Sequence, residues 1–140
     1  MSDEKVAEIK PVVGTVFNLK DLNPGTWFDV EGGGRICLRV CGADKLREIR
    51  KQTVKKQKEY KNGQRFVFEE TNEDLQSKLI WDYCIVTWEN FLDAAGKPIP
   101  CNAENKNMLM GNSPFFSKVV ANAMKKLAVE ENEDEELEKN

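Results

Sequence analysis

Residues 71–91 read TNEDLQSKLIWDYCIVTWENF, 92–101 LDAAGKPIPC and 102–110 NAENKNMLM. How this stretch folds decides how the rest of the chain is arranged. Thr71 is placed to accept a backbone hydrogen bond as an N-cap, with Asp74 completing a weak capping box. Glu73 and Asp74 put negative charge where a helix dipole is positive. From Leu75 to Phe91 there is neither Gly nor Pro. Leu75, Leu79, Tyr83 and then Val86 or Trp88 recur at helical spacing, and Ile80, Trp81, Cys84 and Ile85 widen the stripe. The spacing therefore predicts one central helix, covered on more than one side. Asp93 to Pro100 contains one Gly and two Pro and forces a turn. Asn102 then reads as a new N-cap, opening a short helix from Ala103 to Met110 that Gly111 closes.

Working outward toward the C-terminus, Ser113 is a second cap and Pro114 sits at the first helical position, where its missing N–H costs nothing. Phe116, Val119 or Val120, Ala123 and Leu127 form an apolar stripe, with Phe115 and Met124 at its edge. This helix is expected to fade near Val129. Residues 130–140 hold seven carboxylates, one Lys and little apolar surface, which predicts a disordered acidic tail. The remaining residues carry 20 basic and 17 acidic side chains, a net +3 beneath an overall −3.

Toward the N-terminus, residues 1–10 read as a flexible lead. Val12 to Leu19 is rich in β-branched residues and reads as a strand, and Asn23-Pro24-Gly25 as a turn. Thr26 to Val30 and Arg35 to Cys41 read as strands joined by Glu31-Gly32-Gly33-Gly34. In the second, Ile36, Leu38 and Val40 point one way and Arg35, Cys37 and Arg39 the other. The glycine run lacks the Lys-Ser/Thr and helix start of a phosphate loop. Ala43 to Gln52 reads as a charged helix with Leu46 and Ile49 inward. Asn62-Gly63 lies between Val54–Tyr60 and Gln64–Glu69, and favours a hairpin over a helix continuing through Lys58. The expected fold is α+β in one domain, residues 11–129. A small N-terminal antiparallel sheet with hairpins meets a helical C-terminal half.

The chain has 140 residues, 40% hydrophobic and 32% charged, enough for one buried core. No apolar run is long enough for a membrane span, and the N-terminus lacks the pattern of a signal peptide. A cytoplasmic location is the expectation. There is no histidine, which excludes Ser-His and Cys-His nucleophilic catalysis. Cys37, Cys41, Cys84 and Cys101 form no C-x-x-C pair and read as reduced, partly buried thiols rather than a metal site. Carboxylate pairs such as Glu69-Glu70 and Asp82-Glu89 have no converging ligands around them, so no catalytic residue and no cofactor is expected. Lys45 to Arg65 is strongly basic but lacks interleaved aromatics, so nucleic acid is not expected as a partner.

The run WENFLDAAGKPIP, then NAENKNMLM, then SPFFSKVV, resembles the tail assembly chaperones of long-tailed bacteriophages and prophages. In those proteins a Trp, a turn of D-x-x-G-K-x-I-P character, a Glu-Asn pair and a short Leu-rich helix recur in this order. The likeness covers Thr71 to Leu127 well and Trp27 to Arg50 more loosely. It implies a non-catalytic protein of the host cytoplasm, absent from the mature virion. Its partners would be the tape measure protein, the tail tube protein and further copies of itself. Trp88, Phe91, Phe115 and Met124 are the expected partner-binding residues. The competing readings are a minor structural tail or head–tail joining protein, and a small nucleic-acid-binding regulator.

Overall fold

The computed structural model describes the backbone of residues 13–139 and the side chains of residues 13–129. The N-terminal residues 1–10, expected to be flexible, lie outside that range. The elements run β1 (Thr26–Val30), β2 (Gly34–Leu38), α1 (Ala43–Thr53), β3 (Val54–Lys61), β4 (Gln64–Thr71), α2 (Glu73–Cys84), β5 (Ile85–Glu89), α3 (Ala103–Asn112) and α4 (Pro114–Lys139). The architecture is α+β. Strands β1, β2 and β5 form a three-stranded antiparallel sheet with β2 in the middle, and β3 and β4 form a separate two-stranded sheet.

The central helix is shorter than its sequence spacing suggests. It stops at Cys84, and Ile85 to Glu89 leave it as a strand paired with β2. The sequence Ile85-Val86-Thr87-Trp88 is β-branched and aromatic, and gains more from a sheet than from another helical turn. A register shift explains the misleading periodicity. Leu38 faces Ile85 and Cys37 faces Thr87, so Val86 is the extra residue of a bulge. In an unbroken strand Ile85 and Trp88 would lie on opposite faces. The bulge brings both to the core face, opposite Leu38 and Ile36. Two inward residues three apart are what a helix would also produce.

The cap is displaced by one residue as well. Asn72, not Thr71, accepts the amide of Leu75 at 3.2 Å. The strand expected over 12–19 is absent among the described residues of that span. Val13, Val16, Phe17 and Leu19 are exposed coil, because no neighbouring strand offers them a ladder. By contrast α4 continues to Lys139, past the expected end near Val129. After Pro114 it contains no Gly or Pro, and its Glu, Lys, Leu and Ala residues are good helix formers.

The core lies between one face of the three-stranded sheet and the C-terminal helix. Ile36, Leu38, Ile85 and Trp88 meet Phe116, Val120, Ala123 and Leu127, the stripe expected on α4. Short helix α3 packs against both α2 and α4. Its cap is Asn102, which accepts the amide of Asn105 at 2.8 Å. Lys106 fastens α3 to α2: its buried ammonium donates to the Asp82 carbonyl at 3.0 Å and carboxylate at 3.2 Å. Arg39 does similar work at the end of β2. Its Nε donates to the Tyr83 carbonyl at 2.8 Å, and its guanidinium lies 3.8 Å from the Tyr83 ring centroid.

Trp88 corrects the expectation of an exposed docking side chain, since it is only 7% exposed. Its indole N–H donates to the Ile99 carbonyl at 2.7 Å. Its ring stacks on Phe91 with centroids 5.3 Å apart and meets Phe116 edge-on at 5.9 Å. Trp88→Ala is expected to lose about 3–5 kcal/mol of unfolding free energy, as large aromatic truncations in cores do. Urea denaturation followed by circular dichroism measures this.

Candidate apolar docking groove

Beyond Trp88 the chain reverses in a closed loop. Asn90 adopts a positive φ of 58°, and Gly96 a φ of 80°. Asp93 organises the turn by accepting the amides of Ala95 at 2.9 Å and Lys97 at 3.0 Å. Its own amide donates to the Lys97 carbonyl at 2.8 Å, and the amide of Ile99 donates to the Phe91 carbonyl at 2.7 Å. Leu92 and Pro98 form an antiparallel bridge. The proline-flanked turn thus returns Ile99 beside Phe91 instead of leading the chain away.

This loop, the β1–β2 hairpin and the α3–α4 junction surround an open groove with a cavity of about 260 Å³. Val30, Phe91, Leu92, Ile99, Leu109 and Phe115 supply most of its apolar lining. Leu92 and Phe115 are each 55% exposed at the rim. Phe91 is half-buried on the floor, resting on Trp88 and edge-on to Phe116 at 6.1 Å. Gly34 makes room for it: a Cβ there would lie 2.6 Å from Phe91 Cε1.

Of the expected partner-binding residues, the fold brings Phe91 and Phe115 together in this groove. Trp88 lies beneath as support, and Met124 packs half-buried against the core elsewhere on α4. Leu92, Ile99 and Leu109 are groove residues that the sequence reading missed. The Asp93-to-Gly96 turn was the available signal, because a tight turn there places Leu92 and Ile99 near one another.

Other candidate chemistry is quiet. Among the described residues no cluster of three His, Cys, Asp or Glu side chains is placed to hold a metal. All four cysteines are free. Burial pushes the thiols of Cys37 and Cys101 up, and that of Cys84 up to about 11, with the neighbouring Cys41 adding to the shift. These are protonated, poorly nucleophilic thiols at neutral pH. The basic stretch is offset within the chain. Lys55 and Lys56 face Glu70 and Glu69 across the β3–β4 pair, while Arg47 bonds Asp44 and Lys45 pairs with Glu48.

Two measurements test this geometry. Gly34→Ala should cost about 1–3 kcal/mol, the usual range for overpacking, because the Phe91 ring must move. Chemical denaturation checks the cost, and tryptophan fluorescence should shift as the ring stacked on Trp88 moves. Cys84 gives a pH dependence. Its folded pKa lies above the ordinary 9.0, so the stability it contributes is complete below about pH 9 and lost as pH rises toward about 11. Between pH 7 and pH 10 the wild type should therefore lose about 1 kcal/mol more than Cys84→Ala does, read from urea midpoints.

One of three comparisons with known proteins finds a match, and it concerns origin. No curated protein and no solved structure matches the chain. The model of the YdaY prophage protein family matches residues 43–140, from the first residue of α1 to the end of the sequence. That span covers well over half of the chain and includes most of the groove. The chain belongs to the YdaY prophage protein family.

Proposed function

We propose that this prophage protein is a non-catalytic tail assembly chaperone that binds an exposed apolar helical segment of the tape measure protein. The observation that carries the reading is the open groove, whose Phe91 floor and Leu92 and Phe115 rim leave apolar surface uncovered beside a rigid core. A single helix presents apolar anchors at i, i+3 and i+4, and a short groove with aromatic walls suits two such anchors. A tape measure protein is a long helical chain whose apolar stripe lacks cover until the tube forms. Covering that stripe is favourable at about 25 cal/mol per Å². Repeated weak contacts along it would hold many copies in place without one tight site.

Prophage origin and the resemblance over Thr71 to Leu127 support the same reading. No helix among the described residues is long and apolar enough to cross a membrane. The proposed site of action is the host cytoplasm, before tail tube subunits displace the chaperone. The protein would be missing from finished virions, unlike a structural tail component.

Phe115→Ala tests the reading cleanly because Phe115 is mostly exposed. Its stability should stay within about 0.5 kcal/mol of wild type by thermal melting. Loss of an aromatic anchor commonly costs about 2 kcal/mol or more at an interface, or about thirtyfold in affinity. Co-expressed with the cognate tape measure protein, wild type should keep it soluble and the folded variant should not. A folded variant that solubilises as well as wild type excludes the groove. A wild type that yields no soluble tape measure protein excludes the chaperone function.

A further inference from the structure

The β3–β4 hairpin contributes nothing to the main hydrophobic cluster. It stands as its own two-stranded sheet, exposed along nearly its whole length. Phe66 and Phe68 lie on one face, 47% and 46% exposed, and Tyr60 and Val67 are exposed on the other. Both outer edges are unpaired among the described residues. Such an edge is a template for another strand unless something blocks it.

The two edges differ in charge. On β3, Lys55, Lys56, Lys58 and Lys61 stand within eight residues. Pairing β3 with a copy of itself about Lys58 would set Lys58 on Lys58 and Lys55 on Lys61, which like charges oppose. The β4 edge has the reverse property. Asn62 and Gly63, with φ of 53° and 77°, form the two-residue turn that Lys61 and Gln64 flank. Lys61 and Gln64 are therefore the first hydrogen-bonded pair, and pairs alternate from there. Gln64, Phe66, Phe68 and Glu70 turn their backbone groups to β3. Arg65, Val67 and Glu69 turn theirs outward.

We propose that β4 is a self-association edge, where a second copy of this chain adds its own β4 antiparallel with Val67 opposite Val67. In that register the outward N–H and C=O groups of Arg65, Val67 and Glu69 meet their counterparts. Arg65 of each copy faces Glu69 of the other, and Phe66 faces Phe68. A two-fold axis through the Val67 pair repeats every contact, as a closed dimer interface requires. The hairpins become one four-stranded sheet, with two opposite-charge pairs on one face and two aromatic pairs on the other. Shifting the register by two residues in either direction loses the Arg65–Glu69 match. The inference does not rest on the chaperone reading, since the hairpin and the groove are separate surfaces.

Sedimentation equilibrium tests it directly. Wild-type mass should rise with concentration from the 16.0 kDa monomer toward twice that value. Arg65→Glu and Glu69→Lys each place like charges at both symmetric pairs and should weaken association about tenfold. An equimolar mixture of the two variants should recover it, because each supplies the sign the other needs. Hydrogen exchange on wild type gives a readout without any substitution. The amides of Arg65, Val67 and Glu69 should gain protection as concentration rises, while those of exposed residues 13–19 should not. Wild type that stays monomeric at its solubility limit overturns the proposal. So does association that ignores both charge reversals, a mixture no better than the single variants, or protection that never appears at Val67.

Discussion

The indole of Trp88 is the contact on which the C-terminal half depends. It lies at the inner face of β5, under Phe91 and against Phe116, with its N–H committed to the Ile99 carbonyl at 2.7 Å. One side chain therefore joins the sheet, the 90–99 loop and α4. That position exists only because β5 carries a bulge at Val86. Without it, pairing Ile85 with Leu38 would turn Trp88 to the outer face, and the loop carbonyl would lose its buried donor. Groove geometry follows from the same constraint, since Phe91 rests on Trp88 and Gly34 leaves the space its ring fills.

The bulge also marks where the sequence is legible and where it is not. Hairpins announce themselves locally. Asn62-Gly63 demands positive φ at both positions, and the glycine run after Val30 permits a tight reversal, so the β1–β2 and β3–β4 hairpins were readable. Asn102 and Ser113 were readable as caps for the same local reason, with Ser113 Oγ accepting the amide of Phe116. Residues 85–89 were not. Their inward positions are three apart because of a bulge, and the partner strand that decides the matter lies some fifty residues earlier. Exposure at the site was misread through this error. A helix continued to Phe91 leaves Trp88 near a surface edge, whereas a strand puts it in the core. The groove's other walls come from α3 and the returning loop, and only tertiary packing brings them together.

Two cations hold the helices where this sheet needs them. Lys106 is buried, and its ammonium would be costly there without the two Asp82 oxygens it meets. Arg39 occupies the junction of β2, α2 and the Asn23 turn, spanning it with planar donors and a ring contact. Neither residue stands out in the sequence, because each is one charged residue among many. Both fix relative placement of elements, which an apolar residue of similar volume would do with less directional demand.

Rigid core and exposed hairpin thus divide the molecule by stability. Three residues of the groove, Phe91, Phe116 and Ile99, contact Trp88 directly, so its floor is tied to the core. The hairpin is fastened mainly at its base, where the amide of Asn72 donates to the Thr53 carbonyl at 2.7 Å and Gln76 reaches the Thr53 hydroxyl. Beyond that base a two-stranded sheet has only its own ladder and cross-strand pairs, a marginal structure in water. Its aromatic residues gain little by staying exposed, and its lysines guard only one edge. A protein that needed the hairpin merely as a link between α1 and α2 could close that gap with a short turn. Eight-residue strands with four exposed aromatic or β-branched side chains (Tyr60, Phe66, Val67 and Phe68) make sense as a surface to be covered. The asymmetry of charge between its edges favours β4 over β3 as the side that a second copy would cover.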